Sequence, residues 1–194
     1  LAVIRHNASA ILSCERVTLN LMQRMSGIAT LANQFVKAIA GTKAKILDTR
    51  KTIPGLRVLD KYAVCCGGGV NHRLDLQDGI LIKNNHISLG GGLPATLERA
   101  LKGRQAGQIV QVEVRSQTEL EQAIAGGAES ILLDNMKPDD LKRAVALAKS
   151  RAVLEASGNV TLATVRAIAE TGVDYISSGA ITHSAPNLDV ALDF

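Results

Sequence analysis

The stretch IVQVEVRSQTELEQAIAGGAESILLDN, residues 109–135, contains a complete strand–helix–strand unit. Ile109 to Val114 is almost continuous in hydrophobic residues, as expected of a strand buried on both faces of a parallel sheet. Thr118 to Ala125 then spaces its apolar positions three and four apart, the period of a helix with one buried face. Gly126-Gly127 stops that helix, and Ser130 to Leu133 starts a second strand that runs into Asp134-Asn135.

The same alternation extends in both directions from Ala44 onward. Further strands are expected at Lys45 to Thr49, Gly79 to Lys83, Ala152 to Glu155 and Asp174 to Ser177. Helical patterns lie between them at Pro94 to Lys102, Pro138 to Ser150 and Leu162 to Glu170, with Pro138-Asp139 suiting a helix start and Gly172 a stop. Repeated βα units of this kind imply the α/β class and a parallel sheet. The first residues differ: Ala8 to Ala40 reads as a long amphipathic helical stretch, broken near Gly27, and Leu1 to Arg5 as one strand without a local partner. The expected organisation is therefore residues 1–7 as the end of a preceding sandwich domain, 8–40 as a helical layer, and 41–194 as an incomplete TIM-like β/α barrel of six or seven strands. The chain opens at Leu1 and not at Met, as a processed or truncated piece would.

Composition narrows the class. With 194 residues, 46% hydrophobic and 21% charged, the chain resembles an ordinary globular domain and not a disordered or fibrous one. The net charge of +4 accompanies only two Tyr, two Phe and no Trp, so aromatic platforms for single-stranded nucleic acid are missing. No apolar run approaches the roughly 18–20 residues of a membrane span, so neither nucleic acid nor membrane is expected as a partner. Cys14, Cys65 and Cys66 lack metal or disulfide spacing, which suits a reducing, cytoplasmic setting.

The C-terminal ends of the strands carry the chemistry. They read Asp48-Thr49-Arg50-Lys51, Lys83-Asn84-Asn85-His86, Glu113, Asp134-Asn135, Glu155-Ala156-Ser157-Gly158 and Ser177-Ser178-Gly179. In a β/α barrel these ends share the rim on which active sites are built. An open, doubly wound sheet would also gather them on one edge, and single Asp, Asn or Ser residues there can simply cap helices. Arg50, Lys51, Arg73 and Lys83 bring cations to this rim, with Glu113 and Asp134 facing them, so an anionic ligand with a metal-bound or hydroxyl-bearing part is expected. Arg suits a planar carboxylate through its two-pronged fork and Lys suits phosphate as a point charge, while two carboxylates can hold Mg²⁺ or sugar hydroxyls. Either acid is equally a candidate for a strand-end ion pair.

Ser157-Gly158-Asn159 and Ser178-Gly179-Ala180 follow the last two strands, where barrels usually bind phosphate on backbone N–H groups. Gly67-Gly68-Gly69 and Gly90-Gly91-Gly92 match neither the dinucleotide nor the P-loop pattern. The first triplet is expected to allow close backbone approach beside a ligand, the second to form a flexible loop.

Glu15-Arg16, Leu19-Asn20, Ser26 to Thr30, DTRKT at 48–52, Pro54-Gly55, Lys61 to Val64, GGGVNHR at 67–73 and Leu81-Ile82-Lys83 with Asn85-His86 together resemble the quinolinate phosphoribosyltransferase family. Val112 to Val114, Leu132 to Met136, Leu154-Glu155 with Ser157-Gly158, and Thr171 to Ala180 resemble its later motifs, so the likeness covers nearly the whole chain. The resemblance implies transfer of phosphoribosyl from 5-phosphoribosyl-1-pyrophosphate to quinolinate, with Mg²⁺, giving nicotinate mononucleotide, pyrophosphate and CO₂ in NAD synthesis. It places Arg16, Thr49, Arg50, Lys51, His72, Arg73 and Lys83 around quinolinate. Lys51, Lys83, Glu113 and Asp134 become catalytic residues, with Glu113 and Asp134 also meeting Mg²⁺ and the ribose hydroxyls. Ser157, Gly158, Asn159, Ser178, Gly179 and Ala180 cradle the 5-phosphate. It further implies a homodimer in which Arg16 reaches the partner's site. Cys65 and Asn84 stand where the family often has other residues, Asp or Glu at position 84. The competing readings are a nicotinate phosphoribosyltransferase or a molybdenum-associated relative of the same fold, and, in a different class, a non-catalytic anion-binding paralogue.

Overall fold

The hydrophobic runs become six strands, all parallel, because each is followed by a helix that returns the chain to the same end. The computed structural model describes residues 2–193. The strands are β1 (Lys45–Leu47), β2 (Gly79–Ile82), β3 (Ile109–Val114), β4 (Ser130–Asp134), β5 (Val153–Ser157) and β6 (Tyr175–Ser177). They pair in the order β1-β6-β5-β4-β3-β2. From β2 to β6 each strand lies beside its successor, and β1 follows β6. The order never reverses, so there is no switch point of the doubly wound kind, and right-handed crossovers put the connecting helices on one face. A singly wound parallel sheet of this sort curls into a barrel.

The barrel is incomplete, as its sequence suggests. Beyond β1 the sheet continues through one parallel bridge, Leu47 to Val70. Val70 N donates to Ile46 O at 2.8 Å, and Asp48 N to Val70 O at 3.2 Å. This is a seventh strand reduced to a single residue. Between it and β2 no ladder closes the wall among the described residues, although Arg73 Nη1 donates across to Gly79 O at 2.9 Å.

The helices are α1 (Ala8–Ala38), α2 (Arg57–Cys66), α3 (Asn84–Leu89), α4 (Leu93–Gly103), α5 (Gln117–Ala125), α6 (Pro138–Ala148), α7 (Val165–Ala169) and α8 (Ala180–His183). Along β3, Val110, Val112 and Val114 are fully buried against this helical layer. Gln111 and Glu113, on the alternate face, point toward the barrel interior, as the period of two requires. Among the described residues no helix is long and apolar enough to cross a membrane.

Asn7 starts α1, its side chain accepting from Ser9 N and Ala10 N. The helix and its C-cap bury Ile28, Ala32, Phe35 and Ile39, spaced four, three and four apart. The expected break at Gly27 does not occur. A Cβ at that position would collide with Pro186 O, so the glycine lets the C-terminal segment cross the helix. Gln23 holds the crossing segment, its carbonyl accepting from Leu188 N at 3.0 Å and its Nε2 donating to Val190 O at 2.9 Å. A buried ion pair ties α1 to the barrel. Arg24 donates to both oxygens of Asp60 in α2, at 2.9 and 2.7 Å, and to Thr182 O in α8 at 3.0 Å.

The strand expected over Leu1 to Arg5 is not formed: residues 2–5 carry no regular structure, and Leu1 lies outside the described residues. Among the described residues no strand pairs with them. Gly67 also has a different task from the one expected. A Cβ there would strike Ala29 O and come within 2.7 Å of Ala32 Cβ, so the close approach is between helices α2 and α1 and not toward a ligand. Gly67→Ala should therefore cost about 1–3 kcal/mol through overpacking, read as a lower denaturant midpoint. Gly90 to Gly92 forms a tight joint between α3 and α4, with φ of +82° at Gly91 and +99° at Gly92, instead of a loose loop.

Candidate active site

The strand ends converge on one cleft of about 650 Å³. Thr49, Arg50 and Lys51 enter it after β1, His72 and Arg73 after the Val70 bridge, and Lys83 after β2. Glu113 lies in β3 and Asp134 ends β4. Ser157 ends β5, followed by Gly158 and Asn159, while Ser178, Gly179 and Ala180 follow β6. Every site residue singled out in the sequence lines this cleft except Arg16, which is exposed on α1 and faces elsewhere.

One wall is cationic and lacks counter-charge. Among the described residues Arg50, Lys51 and Arg73 make no ion pair with any carboxylate. Arg50 Nε is buried with no hydrogen-bond partner in the protein. Burial, and then the neighbouring charge of Arg50, lower the pKa of Arg73 from its ordinary value. A desolvated donor left unmatched costs about 1–3 kcal/mol, more when charged, so the chemistry of such a wall suits an anion.

A buried network sets the position of His72. Asp48, at the end of β1, is fully buried and accepts from Lys61 Nζ of α2 at 2.5 Å and from His72 N at 2.8 Å. Lys61 Nζ also donates to His72 O at 2.9 Å. This pair bolts the 71–73 segment to β1 and α2. Arg73 N donates to His72 Nδ1 at 2.8 Å, so Nδ1 is an acceptor and the ring proton belongs on Nε2. Nε2 faces Glu155 Oε2 and Gln111 Oε1, both at 3.2 Å, and Gln111 Nε2 donates to Glu155 Oε2 at 2.8 Å. Both imidazole nitrogens and both backbone polar groups of His72 are thus engaged inside the protein.

Glu155 is 2% exposed and its Oε1 has no partner in the protein. Burial pushes its pKa up, but hydrogen bonding to His72, helped by Gln111, outweighs burial and holds it below the ordinary 4.5. A carboxyl with a depressed folded pKa adds stability that is present above its unfolded pKa and lost as pH falls through the folded one. Denaturation at a series of pH values should accordingly show stability falling below pH 4.5, with a shallower slope in Glu155→Gln than in the unaltered chain.

Opposite the cations stand Glu113 and Asp134. Arg115, beyond the end of β3, lies against both, and Lys83 Nζ is 3.9 Å from Glu113 Oε2. Asn135, with φ +56°, donates from Nδ2 to Asp134 Oδ1 at 2.9 Å and accepts from Asn159 Nδ2 at 2.9 Å. Gly158, with φ +97°, has no room for a Cβ, which would overlap the Asn135 amide. The turns after β5 and β6 therefore present bare main chain to the cleft. Among the described residues no three His, Cys, Asp or Glu side chains group as a metal site.

Three members of this arrangement escape sequence-level reasoning. Gln111 sits inside a run that reads as hydrophobic, yet it is two residues before Glu113 and shares its face. Glu155 is visible at its strand end, but its burial is not. Arg115 looks like an ordinary loop cation following a strand.

A parallel β/α barrel with two arginines and one lysine free of ion pairs, two facing carboxylates and glycine-bearing turns after its last two strands defines a barrel-type anion site. The family model described as quinolinate phosphoribosyl transferase, C-terminal domain, matches residues 28–193, and the chain belongs to that family. It is 48% identical over 196 residues to a probable nicotinate-nucleotide pyrophosphorylase (carboxylating) of Bacillus subtilis, covering 100% of this chain and 67% of the relative. It is also 48% identical over 204 residues to the chloroplastic nicotinate-nucleotide pyrophosphorylase (carboxylating) of Arabidopsis thaliana, covering 96% of this chain and 58% of that protein. Among solved structures, the nicotinate-nucleotide pyrophosphorylase of Francisella tularensis superposes with a TM-score of 0.91 at 48% identity, over 94% of this chain and 65% of that one. The chain thus spans about two thirds or less of the length of these relatives.

Proposed function

We propose that this chain forms the barrel part of an enzyme that transfers phosphoribosyl from 5-phosphoribosyl-1-pyrophosphate to quinolinate and releases CO₂. The observation that carries this is the paired Arg50 and Arg73, close enough to perturb one another, with Arg50 Nε buried and unmatched. Two guanidinium groups without a carboxylate partner in the protein suit the two adjacent carboxylates of quinolinate. The names of its relatives point to the same chemistry.

The roles follow from position. Thr49, Arg50, Arg73 and the cations Lys51 and Lys83 hold the dicarboxylate and the departing diphosphate, and Ser157 to Asn159 with Ser178 to Ala180 take the 5-phosphate. His72 orients Arg73 and the 71–73 segment. The pyridine nitrogen attacks the ribose carbon as its bond to diphosphate breaks. Glu113 and Asp134 meet the ribose hydroxyls and the positive charge that develops on the sugar. The bond from ring carbon 2 to its carboxylate then breaks, its electron pair stays on that carbon beside the cationic nitrogen, and a solvent proton completes nicotinate mononucleotide. Glu113 and Asp134, two hard carboxylates without a third ligand, would hold Mg²⁺ delivered on substrate phosphates, and the ion would supply positive charge to the leaving diphosphate.

Arg16, exposed on α1 and outside its own cleft, suits service in the cleft of a second copy, hence a homodimer. Three exposed free cysteines suit a reducing, cytoplasmic compartment. The test is product formation from 5-phosphoribosyl-1-pyrophosphate and Mg²⁺ with quinolinate or nicotinate in parallel. Nicotinate mononucleotide from quinolinate alone is expected. Product from nicotinate would overturn the substrate, since nicotinate leaves one desolvated arginine unmatched.

A further inference from the structure

Arg115 has no part in the roles above, yet it covers both rim carboxylates. Its Nε donates to Asp134 Oδ2 at 2.9 Å, and its Nη2 lies 3.4 Å from Glu113 Oε1. The Asn84 side-chain oxygen, in the amide orientation that satisfies its surroundings, accepts from the same Nε at 3.0 Å and from Nη2 at 3.2 Å. The guanidinium therefore sits where a cation between the two acids would sit. Its backbone is fixed, with Arg115 N donating to Glu119 Oε2 at 2.7 Å, but the side chain is 55% exposed and held only at its tip.

We propose that Arg115 is an internal counter-cation that occupies the divalent-cation position between Glu113 and Asp134 until the diphosphate-bearing substrate draws it away. The rim then accepts a divalent ion only as its phosphate complex and excludes the free ion. Two considerations support this. A guanidinium and a divalent cation cannot share two carboxylates without like-charge repulsion. A phosphate group, in contrast, offers the Arg fork an alternative bidentate partner in the same cleft, so displacement costs the side chain little. Asn84 matters here because a neutral amide can accept from Arg115 without adding a third negative charge, which would strengthen capture of a free metal ion.

The identity of the displacing substrate rests on the proposed phosphoribosyl transfer, but the competition between cations does not. The experiment therefore uses the full chain without substrate and Mn²⁺ alone as the probe, with the free ion counted by electron paramagnetic resonance. The unaltered chain is expected to leave Mn²⁺ free. Arg115→Gln should bind one Mn²⁺ at least about tenfold more tightly, and Asp134→Asn added to it should abolish that site. Arg115→Lys, which keeps the charge, should remain as poor a binder as the unaltered chain. Equal Mn²⁺ binding by the unaltered chain and Arg115→Gln, strong or weak, would overturn the proposal. So would an Arg115→Lys chain that binds as Arg115→Gln does, or a doubly altered chain that keeps the ion. Unchanged thermal midpoints confirm folded variants, and loss of quinolinate turnover alone would leave these binding results intact.

Discussion

Arg24→Ala is expected to destabilise the fold by about 3–5 kcal/mol, because it strands the buried Asp60 charge without its partner. At roughly 2–4 °C per kcal/mol for a chain of this size, the thermal midpoint should fall by about 6–20 °C. Asp60 has a fully buried side chain, whereas Arg24 keeps 15% exposure, so Asp60 suffers most when the pair is broken. Removing both partners should be milder than removing Arg24 alone. A double-mutant cycle on Arg24→Ala and Asp60→Ala, followed by denaturant unfolding, measures this directly. Additive losses would mean that the pair contributes no coupling. The rim should register the change as well, since Arg24 Nη2 holds Thr182 O, and Thr182 Oγ1 donates to Lys51 O at 2.8 Å.

Arg50→Lys should produce the largest change in ligand affinity. The charge remains, but the fork that can meet a planar carboxylate with two parallel bonds is lost. Quinolinate binding should weaken by about 10- to 100-fold, corresponding to the 1–3 kcal/mol of a desolvated polar group left unmatched. Affinity for the phosphoribosyl donor should change little. Titration calorimetry with each ligand separates the two, and equal losses would remove Arg50 from the quinolinate subsite.

Much of the fold is legible in the sequence, for reasons that differ along the chain. Ile109 to Val114 is matched residue for residue by β3, because four of its six positions are hydrophobic and the chain around it is polar. Strand ends are less legible. β5 runs through Ser157, although Ala152 to Glu155 is the apolar run, since in a barrel the interior face near the rim is polar. Pro138 to Ser150 stops earlier, at Ala148, where Lys149 and Ser150 turn to φ of +44° and +62°. Leu162 to Glu170 shortens to Val165–Ala169 because Thr161 N bonds Thr164 Oγ1 in a local turn before the helix. α2 and α3 were hidden among motif residues: Asn84–Leu89 has little helical pattern and depends on Lys83 and His86 at its start.

The rim is legible because the topology brings every strand's C-terminal end to one place, so a list of strand ends is already a list of site residues. Contacts within that rim are not. That Asp48 spends its charge on Lys61, that His72 turns both nitrogens inward, and that Arg115 covers Glu113 and Asp134 all depend on rotamers and on which segments lie side by side. Arg16 is the opposite case, a motif residue that the fold keeps apart from its own cleft.

In a closed barrel a full circle of backbone hydrogen bonds sets the girth, and no rim residue moves without breaking a rung. Here the circle has a seam between the Val70 bridge and β2, and the fastener seen across it is Arg73 on Gly79 O. At this seam the girth is set by a side chain and not by a ladder of main-chain bonds. Amide exchange should locate this softness: Gly79 to Ile82 should exchange faster than Val110 to Val114, and the difference should shrink when a dicarboxylate engages Arg73.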